Sequence, residues 1–361
     1  MKSVSKIEQK STISMYMPNS VKKEKRKQNN VMIGLTIMPV IAFILSLTLG
    51  RYGIPLSQLF DIFTGKLFNL PITWSQTVET VLFQVRIPRI IAAMMVGAAL
   101  ATAGATYQGL FKNPMVSPDI LGASAGAGFG AAIAILMSFN IVGIQFSAFL
   151  LGLAAVLLTY TIASIIGRGN NAILVLVLTG MVISTLFSSF ISITKYIADP
   201  ESKLPAITFW LMGGLSSVST RDVIILIIPL ILGIIPILLL RWKLNVLSFG
   251  EEEAQAMGID TRKIRIVVII CSTLLTASSV SISGMIGWVG LIIPHIARFL
   301  VGPNYKLLLP ASILIGSTFL LLVDDVARSI FTVEIPLGIL TAIIGAPIFI
   351  YLLLKGRRGW I

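Results

Sequence analysis

Apolar residues in this chain fall into long, nearly unbroken runs separated by short polar punctuation. Ten runs reach or approach the roughly 20 residues that a helix needs to cross a bilayer. They lie at about 31–50, 88–108, 119–138, 143–166, 171–193, 222–240, 264–283, 286–302, 307–327 and 335–354. The eighth and ninth are short and carry Pro294 and Pro310. The runs are continuous and rich in Leu and Ile, without the strict alternation that a membrane β-barrel requires. A further apolar stretch, "LPAITFWLMGGL" within 198–221, is too short to span and reads as a re-entrant or surface helix. The pattern predicts an all-α, polytopic membrane protein with about ten transmembrane helices. Residues 1–30, ending in "KKEKRKQNN", are polar and basic and read as a disordered arm touching anionic lipid. Residues 31–361 then form one membrane domain. The first run follows about 30 polar residues and has no small-residue cleavage site, so it reads as a retained span and not a secretory signal.

Charge orients this arrangement. The chain holds 28 Lys+Arg against 15 Asp+Glu, for a net charge of +13, yet only 12% of its residues are charged and 56% are hydrophobic. With ten spans and a cytoplasmic N-terminus, 20 of the 28 basic residues fall in cytoplasmic segments and 8 outside. That bias follows the positive-inside rule and places both termini in the cytoplasm. It also accounts for the basic excess without a nucleic-acid partner. The middles of the ten spans carry no charge, which disfavours a proton- or ion-driven secondary carrier. Asp324 and Asp325 come closest. Arg328 follows them at i+4 and i+3, a spacing that serves either a local salt bridge or a proton relay.

Candidate chemistry is sparse. Gly65-Lys66 is followed by Leu67, so no P-loop is present. His295 is the only histidine and Cys271 the only cysteine, so neither can build a metal site. His295 with Arg298 at i+3 reads as a packing and interface pair, and Cys271 as a small buried apolar residue. No nucleophile is paired with a base, which disfavours an intramembrane enzyme. Energy and chemistry must come from partners.

One segment stands out in this setting. "SFGEEEAQAMGID", residues 248–260, gathers three of the 15 acids between basic flanks. Ser248 and Glu251 fit a capping box, and Glu251, Glu252 and Glu253 suit the positive end of a helix dipole. Ala254, Ala256 and Met257 form an apolar edge, and Gly258 suits the left-handed residue that stops a helix. Asp260 and Thr261 then start the seventh span. A capped helix of about two turns on the cytoplasmic side reads as a docking element whose small residues allow close approach. The Gly- and Ala-rich run including Gly97, Gly104, Gly109, Gly122, Gly126, Gly128 and Gly130 permits close helix packing. Pro114 and Pro118 bracket the loop between the second and third spans, where the chain can flex.

Four stretches together resemble the permease family of ABC importers for iron–siderophore complexes, haem and cobalamin. They are "RIPRIIAAMMVGAALATAGATYQGLFKNPMVSPDILGASAGAG" (86–128), "FGEEEAQAMGID" (249–260), "SGMIGWVGLIIPHIARFLVGPNYKLLLPAS" (283–312) and "DDVARSIFTVEIPLGILTAIIGAPIFIYLLLK" (324–355). The resemblance implies a non-enzymatic permease subunit in a bacterial cytoplasmic membrane, moving an iron–siderophore, a Fe3+ chelate, with haem or cobalamin as alternatives. It implies a second permease subunit, two ATPase subunits that use the ATP, and an extracytoplasmic substrate-binding lipoprotein. No cofactor is expected on this chain. It further implies that Glu251, Glu252, Glu253, Ala254, Met257 and Gly258 belong to the ATPase-coupling helix. Arg86, Arg89 and Arg328 match the outer arginines that meet acids on the binding protein. From the residues alone, Arg86 and Arg89 could equally anchor a span at the headgroups, and Arg328 could neutralise Asp324.

Overall fold

The computed structural model describes residues 19–72, 74–167, 172–330 and 333–356. Among them the chain is helical throughout, without strands. Helix α1 is Asn19–Thr48, α2 Leu56–Phe68 and α3 the continuous helix Gln76–Leu110. A 3-10 turn, Pro118–Leu121, leads into α4, Ala123–Leu136. Then come α5 (Ile141–Ile166), α6 (Ala172–Ile197), α7 (Lys203–Met212), α8 (Thr220–Phe249) and α9 (Glu251–Ala256). The chain closes with α10 (Thr261–Ser283), α11 (Val289–Val301), α12 (Tyr305–Ser329) and α13 (Leu337–Gly356). Seven of these helices are long and apolar enough to cross a membrane, and α4, α11 and α13 are shorter apolar helices, making ten.

Several boundaries differ from those that hydropathy sets. Helix α1 starts at Asn19, so residues 19–30 of the basic arm are helical and not disordered. The Lys-, Arg-, Glu- and Gln-rich stretch there is a good helix former, and it continues the span without a break. Residues 1–18 lie outside the described residues. Helix α8 runs on to Phe249 past the charged Arg241 and Lys243, because hydropathy marks where the membrane ends and not where hydrogen bonding does. Helix α2 was not foreseen: it sits in the outer loop, with Gly65 against the Trp74 ring and Lys66 paired with Glu79.

Helix α3 is the hub. In its most apolar window 83% of residues are buried, against 22% for α5, α6 and α8. Its sequence from Ala92 to Gly109 is mostly Ala, Gly and Thr, which lets neighbours approach from every side. A Cβ added at Gly97 would strike the Gly316 carbonyl of α12, and one added at Gly316 would strike Gly97. At Gly104 the obstacle is the Gly290 backbone of α11. In lipid no hydrophobic force drives helices together, so backbone proximity of this kind supplies the attraction. Near its outer end α3 widens into a π-helical stretch, Val81–Arg86, where the Ile87 amide donates to the Leu82 carbonyl five residues back. The wider turn accommodates Pro88, which has no N–H to give.

Helix α11 is short enough to leave irregular backbone at membrane depth. Helix α11, with 13 residues, is only about 20 Å long, well under the ~30 Å hydrocarbon core. The segment 284–288 that precedes it therefore lies inside the membrane. Its backbone packs closely on neighbours: Gly284 lies against the Trp210 carbonyl and Gly213, and the Met285 carbonyl against Gly213 and Gly338. Non-helical backbone at this depth is tolerated only where protein buries it or a cavity faces it.

The crossing points carry the first prediction. Gly104→Val should cost about 1–3 kcal/mol and lower the thermal unfolding midpoint of the purified protein by several degrees. Gly34→Val, where nothing lies within 4 Å, should not. Equal midpoints for the two variants would contradict the packing described.

Candidate functional site

At the outer end of the bundle, six charges balance inside the protein. Arg86, Arg89 and Arg328 are 3%, 6% and 6% exposed, and Asp324 is fully buried. Arg89 is the centre: its Nε and Nη2 donate to Asp324 at 2.8–3.0 Å, and its Nη1 donates to Glu334 at 2.9 Å. Arg328 donates to Asp325 at 2.5 Å and to the Ser46 carbonyl at 2.7 Å, while Ser46 donates its hydroxyl to Asp325 at 2.6 Å. Arg86 donates to the Leu47 carbonyl at 2.6 Å and the Tyr52 carbonyl at 2.7 Å, satisfying acceptors at the end of α1. Gly50 leaves the room that the Arg86 guanidinium fills. Three guanidiniums and three carboxylates thus tie α1, α3 and α12 to the segment before α13.

Both sequence readings of the arginines bear on this cluster. The geometry around Asp324, Asp325 and Arg328 is that of an ion pair. The three arginines reach an outside protein only by giving up the partners just named. Arg89 and Glu334 do border an outer cavity of about 760 Å³ that also touches Arg51, Gln145 and Trp210.

A second cavity, of about 740 Å³, opens at membrane depth. Ser117, Asp119, Ser124, Ser184 and Ser188 line one wall, and Met212, Met285 and Trp288 contribute to the rest; among the described residues no Lys, Arg or His borders it. Pro118 sets the depth of Asp119. Its ring packs where a Gly290 side chain would stand, beside the Leu100 carbonyl, ten residues before α3 ends at Leu110. The Asp119 carboxylate accepts a hydrogen bond from Ser124. Gly122, at φ +90°, turns the chain from the 3-10 segment into α4, and Gly126 packs on the Leu151 carbonyl and Ala155 of α5. The exposed face of α6 changes character near this wall. It shows Leu174, Leu178 and Met181 in its first half and Thr185, Ser188, Ser189 and Ser192 in its second, with Leu186, Ile193, Tyr196 and Ile197 also exposed there. Those hydroxyls also bond back along the helix, as Ser192 does to Ser188 O at 3.0 Å, which keeps them tolerable beside lipid or water.

At the opposite end, α9 carries the acidic segment. Ser248 does not cap it. Residue 248 is absorbed into α8, where its hydroxyl donates to Asn245 O at 2.6 Å, and Gly250 stands at the N-cap. The expected capping box is absent because tertiary packing extends α8. The helix has six residues instead of two full turns. Its end is as read: the Gly258 amide donates to Gln255 O at 2.9 Å and the Ile259 amide to Ala254 O at 3.0 Å, with Gly258 at φ +75°. Ala254 is fully buried, so its small side chain serves packing within this chain and offers no close approach to a partner. Glu252, Glu253, Ala256 and Met257 are the exposed face. Glu251 instead turns inward, accepting from Arg265 at 2.7 Å. Asp260 caps α10: the Lys263 amide, then its ammonium, hold the carboxyl below its usual range.

Of the remaining residues singled out in the sequence, Gly109 packs on the Tyr305 ring and Pro114 lies in the turn after α3. The sequence reading missed Asp119 and Glu334. The sequence carried no signal for Asp119, because 119–138 reads as a full-length run; it is the 14-residue length of α4 in the fold that leaves the Pro-Asp turn outside the helix.

A family model, the FecCD transport family, matches residues 37–355. The chain is 44% identical over 329 residues to the molybdate import system permease protein of Haemophilus influenzae, covering 91% of this chain and 96% of that one. It is 40% identical over 282 residues to an iron chelatin transport system permease protein of Helicobacter pylori, covering 78% of this chain and 84% of the relative. Among solved structures, a metal-chelate type ABC transporter in an inward-facing conformation matches with a TM-score of 0.81 and 42% identity, covering 91% of this chain and 99% of that one.

The outer cluster carries a stability prediction. Arg89→Gln removes the hydrogen-bonded partner of buried Asp324, leaving it only Arg328 at 3.7 Å, and should cost about 3 kcal/mol, read as loss of folded protein and a lower unfolding midpoint. Replacing the pair together, Arg89→Met with Asp324→Leu, should recover much of it. A single variant as stable as the parent would show that the ion pair holds nothing together.

Proposed function

This chain belongs to the FecCD transport family of ABC transporter permease subunits, and on that footing we propose that it is the subunit through which a ferric chelate crosses the cytoplasmic membrane. The observation that supports a chelate is the cavity around Asp119. Its wall offers neutral hydroxyls and one carboxylate, with no cationic side chain among the described residues. A bare tetrahedral dianion is ordinarily held by Arg, Lys or helix amides and would meet repulsion here. A bulky chelate with its metal already wrapped presents donors and apolar edges that such a wall accommodates. The relative named for iron chelatin supports the same cargo. Molybdate is the second reading, favoured by the relative with 44% identity.

The family implies ATPase and substrate-binding partners and a paired permease. We place the second permease subunit over the hydroxyl-bearing half of α6, so that the two copies enclose the path. The ATPase subunits meet α9 through Glu252, Glu253, Ala256 and Met257. The binding protein seats on the outer rim, where Arg51 and the Arg89–Glu334 pair reach the cavity mouth, while Arg86 and Arg328 hold the frame beneath.

Uptake by proteoliposomes holding the complete transporter tests the cargo. ATP-dependent accumulation of 55Fe-labelled hydroxamate or catecholate chelates, well above labelled molybdate, is the expected result; the reverse order would overturn the chelate reading. Coupling has its own check. Met257→Arg should leave the subunit in the membrane but lower uptake by about fivefold or more, because losing a buried interface anchor costs over about 1 kcal/mol. Unchanged uptake would remove α9 from the ATPase contact.

A further inference from the structure

A trough runs along the side of the bundle between α5 and α10, with a volume of about 550 Å³. Leu150, Ala154 and Leu157 form one wall, and Ile266, Ile270 and Leu274 the other. Its polar atoms are few. The Thr273 hydroxyl lies 3.3 Å from the Tyr107 hydroxyl, inside the bundle. Tyr160 sits toward the cytoplasmic end, six residues before α5 stops at Ile166. Water or a polar cargo gains nothing from such a surface.

Length and charge identify an occupant. From Ile266 to Leu274 the helix rises about 12 Å, close to the ~15 Å depth of one leaflet's hydrocarbon. Arg262 stands one turn before Ile266 on the same face of α10. It is exposed, and its guanidinium makes no ion pair among the described residues, whereas its neighbours Lys263 and Arg265 are paired with Asp260 and Glu251. The charge bias puts this end of α10 at the cytoplasmic surface. A one-leaflet apolar groove with a free cation at its headgroup end is complementary to one molecule class present there. We propose that this groove is a binding site for an anionic phospholipid of the cytoplasmic leaflet, with an acyl chain between α5 and α10 and the phosphate on Arg262. The site lies beside α9, so the lipid would buttress the surface that meets the ATPase.

The test is lipid retention by the purified full chain, measured by native mass spectrometry with phosphatidylglycerol and phosphatidylcholine as probes. One basic residue at the membrane surface gives about a fivefold preference for the anionic lipid. Arg262→Gln should erase that preference and leave weak binding of both lipids. Ala154→Phe fills the groove and should reduce both. Should Ala154→Phe fail to fold, the preference and its loss in Arg262→Gln decide alone. Equal retention of the two lipids by the parent, or an unchanged preference in Arg262→Gln, overturns the proposal. So does a disulfide between two copies through Leu157→Cys in a Cys271→Ala background, which would assign the groove to a subunit interface.

Discussion

Helix α3 has no side chain at the points where α12 and α11 cross it, and the rest of the bundle is arranged around that absence. Gly97 faces Gly316, and Gly104 faces the Gly290 backbone. Lipid chains are as apolar as leucine, so burying leucines gains little; backbone contact and dispersion must hold the helices. The hub then determines what can stand at its two ends. At the outer end, the π-helical turn and Pro88 bring Arg86 and Arg89 against Asp324 of α12 and the end of α1. At mid-depth, the contact with Gly290 brings Pro118 inward and sets Asp119 in a cavity wall.

Charge is used sparingly and in opposite ways at these sites. Around Arg89 the charges are equal in number and, apart from the partly exposed Glu334, buried, a combination that is costly to disturb and contributes little net attraction when intact. It suits a frame that must not shift as the path opens. Asp119 accepts a hydrogen bond from Ser124 and borders open space. An ionisable side chain at membrane depth that faces a cavity is the usual mark of a transport path.

Much of this was legible from the sequence, and the failures have physical causes. Run length located Ile141–Ile166 to within two residues of the expected 143–166, because a span buried in lipid has a hydropathy edge at each end. Gly258 was readable as a stop because left-handed backbone selects glycine locally. Ser248 matched a capping box equally well, yet α8 extends through it, since local signals yield to packing. Ala254 was read as a docking surface because periodicity gives a face but not its direction. The arginines were read as a rim that meets another protein, whereas the fold buries them among partners of their own, and Glu334 lies 245 residues from Arg89, beyond the reach of any spacing rule. Asp119 looked like the first residue of a span, and only the fold shows that the span is short and the residue deep.

The central claim is that the hydroxyl-bearing half of α6 and the wall around Asp119 face an aqueous path and not lipid. Thiol accessibility in the assembled transporter tests it most directly. Ser188→Cys, in a Cys271→Ala background, should react with a small, charged, water-soluble thiol reagent, and bound cargo should slow that reaction. Leu178→Cys, on the apolar half of the same helix, should stay unreactive. Failure of Ser188→Cys to react in any nucleotide state, with the transporter shown to be assembled, would place that wall in lipid and contradict the account.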